Sequence, residues 1–275
     1  MVLLQVGRIE PEEGSEEDLL GEEGLRVGAL LVDYDGTIAP LGVPRNESRI
    51  LRHVDTELRR IVKRVPVCVV TAKDFEFVYP KSSFATAWAC VSGLDIRLAD
   101  GRRSTRKRLR NLDRAVRFAE SGEKEGTITE LKSGPSGELL AVAIDWTGVP
   151  ELGPSLLQSL RRLANAGYIV SHESLTTFAD IYAAQPDKGR ATKLLCNLLQ
   201  VENKSMFIGD SALDNSAFQE ADIGIGVDHG QPTDGLSSDF LVDQTKLAGF
   251  LRTLNDHRMD FKASMPGLRR RVRRS

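Results

Sequence analysis

An apolar run, Ala29 to Val32, opens without a break into two aspartates, Asp33 and Asp35, and Gly36 and Thr37 follow at once. Short and bounded by turn formers, the run reads as a buried parallel strand. In open α/β sheets, ligands bind outside the carboxyl ends of the strands. Spacing by two turns both carboxylates toward one crevice if the strand stays regular there. Gly36 lets the backbone turn away and leaves room for a ligand. Asx-type turn bonds would explain the same two aspartates without any chemistry.

The rest of the chain repeats this layout. Ser48–Lys63 places Ile50, Leu51, Val54, Leu58, Ile61 and Val62 on one helical stripe. Val65–Val70 is a second apolar run, and it ends at Thr71, placed as Asp33 is, with Lys73 two residues on. A hydroxyl there holds a phosphoryl oxygen or caps the helix that follows. Ala85–Val91 is a further strand candidate. Much later, Asp187-Lys188-Gly189 precedes a helix over Arg190–Leu199, where backbone donors favour an anion. Ser205–Ile208 is a short strand running into Gly209-Asp210, with Asp214 just beyond. Ala221–Val227 is a last strand, and Gln244–Leu254 a final helix. Three strands thus deliver Asp33 with Asp35, Thr71, and Asp210 with Asp214 to one edge. Carboxylates so gathered repel unless a cation sits among them. A hard, oxygen-rich site beside phosphate suits Mg²⁺.

Composition shifts after Asp100. Arg102, Arg103, Arg106, Lys107, Arg108, Arg110, Arg114 and Arg117 crowd a segment that turns helical near Leu109. These cations read as a solvated face rather than a binding stripe. Thr127–Lys132 and Leu139–Trp146 read as strands around the turn Ser133–Gly137, Pro154–Ala166 as an amphipathic helix, and Tyr168–Ser171 and Thr177–Ala183 as further strands. Residues 99–183 therefore form an inserted α/β module with its own sheet. The resulting division is an acidic arm over 1–27, a core from 28–98 and 184–255, the insertion, and a basic tail over 256–275.

The remaining features bound the partners. The 275 residues are 41% apolar with a formal net charge of -2, enough for a sizeable core and no guide to partners. Acidic residues crowd Glu10–Glu23, while Arg269, Arg270, Arg271, Arg273 and Arg274 crowd the other end. No aromatic platform accompanies those arginines, so nucleic-acid binding is not expected and a solvated tail is. No run of 18 apolar residues exists, so no membrane span is expected. Cys68, Cys90 and Cys196 sit in or beside apolar segments without metal-ligand spacing. They suit a reducing, cytoplasmic setting.

Taken together the motifs resemble those of the haloacid-dehalogenase-like phosphatases. Asp33-Tyr34-Asp35-Gly36-Thr37 matches the first motif, Thr71 the second, Lys188 the third, and Gly209-Asp210-Ser211-Ala212-Leu213-Asp214 the fourth. The insertion resembles the type IIB cap. Within that group the chain is similar to the trehalose-6-phosphate phosphatases, through Asp33–Pro40, Glu130-Leu131-Lys132 and Asp187-Lys188-Gly189. The resemblance implies an α/β fold, a Rossmann-like parallel-sheet core with an inserted cap. It implies Asp33 as nucleophile and Asp35 as the acid and base serving the leaving group. Thr71 and Lys188 would bind phosphate. Mg²⁺ would rest on Asp33, the backbone carbonyl of Asp35, and Asp210, with Asp214 supporting the ion or orienting Lys188. Lys73, Glu130, Lys132 and Asp180 are the substrate-binding candidates.

The chain also departs from that subgroup. Thr71-Ala72-Lys73 stands where Ser-Gly-Arg is usual, and Ala143-Ile144-Asp145-Trp146 where a His-Tyr-Arg element is. The expected substrate is therefore a phosphorylated sugar, with trehalose 6-phosphate one candidate among related glycosyl and sugar phosphates. A phosphotransferase or phosphomutase, and a noncatalytic interaction protein, are the alternatives.

Overall fold

The computed structural model describes residues 24–105, 109–172, 176–230 and 232–271. The acidic stretch Glu10–Glu23, Arg106–Arg108, and Arg273 with Arg274 lie outside the described residues. In chain order the core begins with β1 (Leu25–Val32), α1 (Arg52–Ile61), β2 (Val67–Val70), α2 (Phe75–Val78), β3 (Ala87–Cys90), β4 (Asp95–Leu98) and β5 (Arg103–Thr105). An inserted cap follows, with α3 (Asp113–Glu123), β6 (Ile128–Ser133), β7 (Leu139–Asp145), α4 (Gly153–Asn165), β8 (Ile169–Ser171) and β9 (Phe178–Tyr182). The chain returns to the core with α5 (Lys188–Leu198), β10 (Lys204–Gly209), α6 (Asn215–Glu220), β11 (Ile223–Asp228), β12 (Phe240–Asp243), α7 (Leu247–Asp256), β13 (Asp260–Phe261) and β14 (Leu268–Arg270).

The core sheet runs β14-β12-β11-β10-β1-β2-β3-β4-β5, with β13 paired to β1. From β12 to β3 every neighbour is parallel, and the strands added at the two edges are antiparallel. β1 lies in the middle, its Val32 level with Ile208 on one side and Val69 on the other. Its alternating side chains serve two separate cores. Leu30 and Val32 join Val54, Leu58, Phe250 and Leu254 from α1 and α7. Ala29 and Leu31 join Ala191, Leu195, Ala217 and Phe218 from α5 and α6. Each such leucine, fully buried, contributes about 1.5–3 kcal/mol. The strand is apolar throughout because both of its faces are covered.

The cap is a four-stranded antiparallel sheet, β6-β7-β9-β8. Val142, Ile144, Ala179 and Ile181 pack on α3 and α4 through Leu112, Ala115, Ala119, Leu156, Leu160 and Leu163. Register puts Glu130 and Asp180 on either side of Ala143, and Lys132 and Tyr182 on either side of Ala141. These residues therefore share the other face of the sheet. The methyl side chains of the central strand leave space for long polar side chains to meet above them.

Two expectations about the ends of the core need correction. The sheet does not stop at residue 98, because β5 extends it to Thr105. The stretch after residue 255 is not a solvated tail as far as Arg270. Phe261 is buried beside Phe240 and Phe250, and Leu268–Arg270 forms the outermost strand. A short strand rich in arginine at a sheet edge is protected from pairing with other chains, and that same charge hid it in the sequence. Near the start of α3, the helix begins at Asp113 rather than at Leu109, after Asn111 bonds the Asp113 amide.

Candidate active site

The parallel strands β1, β2, β10, β11 and β12 end on the same edge of the sheet, and the residue after each is polar: Asp33, Thr71, Asp210, His229 and Gln244. Asp33 follows β1 directly and is buried, 6% exposed. Its backbone amide donates to Ile208 O at 2.8 Å, so the strand pairing extends to the aspartate itself. Lys188 is the first residue of α5, whose N-cap Asp187 accepts from Arg190 N. The Lys188 ammonium, itself buried, donates to Asp33 Oδ1 at 2.9 Å and to Asp214 Oδ1 at 2.6 Å. The other oxygen of Asp214 accepts from the amides of Asp210 and Ser211. Asp210 accepts from Thr37 Oγ1 at 2.9 Å. Carboxylate oxygens of Asp33, Asp210 and Asp214 all lie within 4.8 Å of one another.

One lysine among three carboxylates leaves an excess of negative charge. Burial raises the carboxyl of Asp33 well above its ordinary value, Lys188 opposes this, and Asp214 and Asp210 add to it. Asp214 is raised by burial too, again against Lys188 and with Asp210 adding. Burial alone would lower Lys188, but Asp214 and Asp33 hold its ammonium above the usual lysine range. The lysine thus stays charged, and the carboxylates need a further cation to ionise together. The donors are hard oxygens in a tight group, as a divalent cation such as Mg²⁺ requires. Space has been kept for them. Gly36 sits at φ +73°, and a Cβ there would lie 2.1 Å from an Asp210 oxygen.

The other expected site residues take distinct places. Thr71 follows β2, is buried, and its hydroxyl accepts from Lys73 N at 3.2 Å. Asp35 lies on the turn after β1 with its side chain 33% exposed. Its carboxylate is not among those that converge with Asp33, and it instead meets Lys73 Nζ at 3.5 Å. The Lys73 ammonium also stands 5.4 Å from the Phe77 ring and 5.9 Å from that of Phe178, a cap residue. In the cap, Lys132 is fully buried and donates to Asp180 Oδ1 at 2.6 Å. Tyr182 donates to Asp180 Oδ2 at 3.0 Å. Glu130 stands apart from that pair, against Arg45 of the core.

Two residues of the site escaped sequence reasoning. His229 follows β11 and its Nε2 lies 2.9 Å from Asp210 Oδ2. The bond to Asp210 raises the imidazole above its usual value, against the effect of burial. Gln244 follows β12 and donates to Gly36 O at 2.7 Å, bracing the turn that carries Asp35. Both stand where a strand delivers its next residues to the edge, which is the one signal that marks them.

Comparison with known proteins agrees with this fold. A family model of haloacid dehalogenase-like hydrolases matches residues 155–254. The chain carries the haloacid-dehalogenase-like hydrolase fold. Among solved structures, the fold is similar to a trehalose-6-phosphate phosphatase related protein, at 18% identity and TM-score 0.66, over 83% of this chain and 97% of that one. It is similar to the C-terminal domain of a C. albicans trehalose-6-phosphate phosphatase, at 12% identity and TM-score 0.68, over 84% and 93% of the two chains. A HAD subclass IIB sugar phosphatase matches at 14% identity and TM-score 0.56, over 85% and 100%. No curated protein matches the chain in sequence. The haloacid-dehalogenase-like fold explains why the site straddles the inserted cap, with Asp33 before it and Lys188 after it. No helix among the described residues is long and apolar enough to cross a membrane.

Proposed function

We propose that this chain is a Mg²⁺-dependent phosphomonoester hydrolase acting on a sugar or glycosyl phosphate through an aspartyl-phosphate on Asp33. The observation that carries the reading is the buried Asp33 carboxylate, held by Lys188 at the carboxyl edge of β1 and flanked by Asp210 and Asp214. A carboxylate so fixed has one oxygen tied to the ammonium, and the other, which no described residue hydrogen-bonds, would attack phosphorus. Covalent catalysis then splits a hard displacement into two steps. In the first, Asp33 forms its bond to phosphorus as the bond to the leaving oxygen breaks, and Asp35 supplies the proton that oxygen needs. In the second, Asp35 takes a proton from water, which attacks the aspartyl-phosphate and frees Asp33. Thr71 and Lys188 hold phosphate oxygens through both steps. Asp33, Asp210 and the backbone carbonyl of Asp35 are the groups that would hold Mg²⁺. When bound, that ion offsets the charge of a dianion beside Asp33.

The sugar is read by the cap. Glu130, Lys132 and Asp180 share the face of the cap sheet turned to the site, and carboxylates and an ammonium suit hydroxyl groups. Similarity to sugar phosphatases supports the same substrate class. Closure of the cap excludes water from the reacting edge.

The test is phosphate release over a panel of sugar phosphates, with an acid quench to trap the phosphoenzyme. Phosphate on Asp33 is expected. Phosphate on another residue, or none released from any ester, would refute the reading. Product formation that requires a second hydroxyl compound would mark transfer instead of hydrolysis.

A further inference from the structure

Arg45 lies in the loop between β1 and α1, apart from the motifs that carry Asp33, Thr71, Lys188 and Asp210, yet it joins the two sheets. Its Nη1 donates to Oε2 of Glu130 on the cap at 2.6 Å, and its Nη2 to Asp74 Oδ2 on the core. The guanidinium carbon stands 4.3 Å from the Phe77 ring centroid. Asp74 is itself fixed, because its other oxygen caps α2 by accepting from Phe77 N at 2.7 Å. A rigid series results. The helix cap fixes Asp74, Asp74 and the ring fix Arg45, and Arg45 fixes Glu130. The planar fork of arginine suits this double duty in a way that a lysine does not.

The clamp stands beside the chemistry. Phe77, which Arg45 covers, is also 5.4 Å from Lys73 Nζ, and Lys73 pairs with Asp35. Asp35 is the group that serves the leaving oxygen. Arg45 takes one oxygen of Glu130, and no hydrogen bond from a described residue uses the other. Glu130 thus keeps an acceptor for a substrate hydroxyl while its orientation is set from the core.

We propose that Arg45 is a positioning residue that latches the cap shut and aims Glu130 at the leaving group, so that sugar selectivity depends on a core loop. The inference rests on the sugar-phosphatase reading for its substrate. Without Arg45 the Glu130 carboxylate would lose its ion pair to the core loop, and Lys81 and Lys73, the cations left beside Phe77, form no ion pair with it among the described residues. The link between cap and core would then be released at this point.

The experiment compares Arg45→Met, Arg45→Lys, Glu130→Gln and the double variant Arg45→Met/Glu130→Gln with wild type. Substrates are 4-nitrophenyl phosphate and trehalose 6-phosphate, with glucose 6-phosphate as the second sugar. In Arg45→Met, kcat/KM for the better sugar phosphate should fall about tenfold, mainly through KM, while the aryl phosphate changes less than about threefold. Arg45→Lys should recover part of the loss. The double variant should be no worse than Arg45→Met, because both changes break one contact. X-ray scattering should give a larger radius of gyration for Arg45→Met than for wild type. Equal proportional losses on both substrates, or additive effects in the double variant, would overturn the proposal. If wild type hydrolyses none of these esters and none of the wider sugar-phosphate panel, the phosphatase reading fails by itself. The scattering comparison then decides the latch, and an unchanged radius would overturn it.

Discussion

Ser92 of the core and Tyr182 of the cap share a hydrogen bond of 3.1 Å between their hydroxyls. The Tyr182 proton is already given to Asp180, so Ser92 is the donor. Ser92 is also the hub of the core loop beneath. Its amide donates to Thr71 O and its carbonyl accepts from Asp187 N, each at 2.8 Å. One residue therefore connects the buried cap charges to the backbone of Thr71 after β2 and of Asp187 at the N-cap of α5. It does so at φ +52°, a left-handed conformation that costs a non-glycine residue free energy.

Ser92→Ala keeps the strained backbone and loses the cap link. Its stability should fall by about 1 kcal/mol in denaturant unfolding. Ser92→Gly loses the same bond but relaxes the backbone, and should be more stable than Ser92→Ala by about 1 kcal/mol. Equal stability of the two would show that the conformation stores no strain.

Asp33→Asn should abolish turnover with the fold retained. In chelator at neutral pH the variant should melt no lower than wild type. A carboxyl raised by burial favours folding below its unfolded value, and that contribution is lost as pH rises through the folded value. Neutralising Asp33 removes this loss. A clear drop in Tm for the variant would show that the Lys188 pairing outweighs the repulsion from Asp210 and Asp214.

Mg²⁺ should be required for activity and should raise the Tm of wild type, with Ca²⁺ a poor substitute because its coordination is looser. At about 100 times its dissociation constant the ion should add about 2.7 kcal/mol. His229→Ala should raise the Mg²⁺ concentration for half-maximal activity about tenfold, since it removes the His229 partner that orients Asp210 beside Thr37. Full turnover in exhaustively chelated enzyme would refute the requirement.

Cap substitutions Glu130→Gln, Lys132→Met and Asp180→Asn should reduce kcat/KM for the preferred sugar phosphate more than for an aryl phosphate. Lys132→Met should also destabilise by about 3–5 kcal/mol, because it leaves the buried Asp180 carboxylate without its cation. Stability and both substrates should be measured together. Equal proportional losses on the two substrates would remove these residues from sugar reading.

Asp222 offers a titration on the far side of the core. Burial would raise its carboxyl, but the Ser205 amide at 2.8 Å and Lys204 at 2.9 Å hold it below the ordinary value. A depressed carboxyl stabilises above its unfolded value and loses that contribution as pH falls through the folded one. Asp222→Asn should thus melt lower than wild type at neutral pH. The gap should close below about pH 4, with solvent screening keeping it small throughout. A gap that widens in acid would contradict the assignment.

The strand ending in Asp33 could be read from its residues because burial on both faces leaves an uninterrupted apolar run. Asp210 and Asp214 were legible for the same reason, each lying just past such a run. Arg45, His229 and Gln244 were not, since their partners Glu130, Asp210 and Gly36 are remote in the chain and no local pattern demands them. The full burial of Lys132 was hidden as well. Its cause lies in the alanines of a neighbouring strand and in Asp180, 48 residues on. Strands β13 and β14 were missed because they are only two and three residues long, and two of the three residues of β14 are arginines.

The place of β1 at the centre of the sheet has a consequence for synthesis. One flank of β1 is covered by β2, about 35 residues later, but the other waits for β10. The whole cap, from α3 to β9, leaves the ribosome in between. Its four strands and two helices bring their own apolar cluster. The nascent chain thus carries a half-built sheet while the cap is made, and the open edge of β1 is the surface exposed to wrong pairing until β10 arrives.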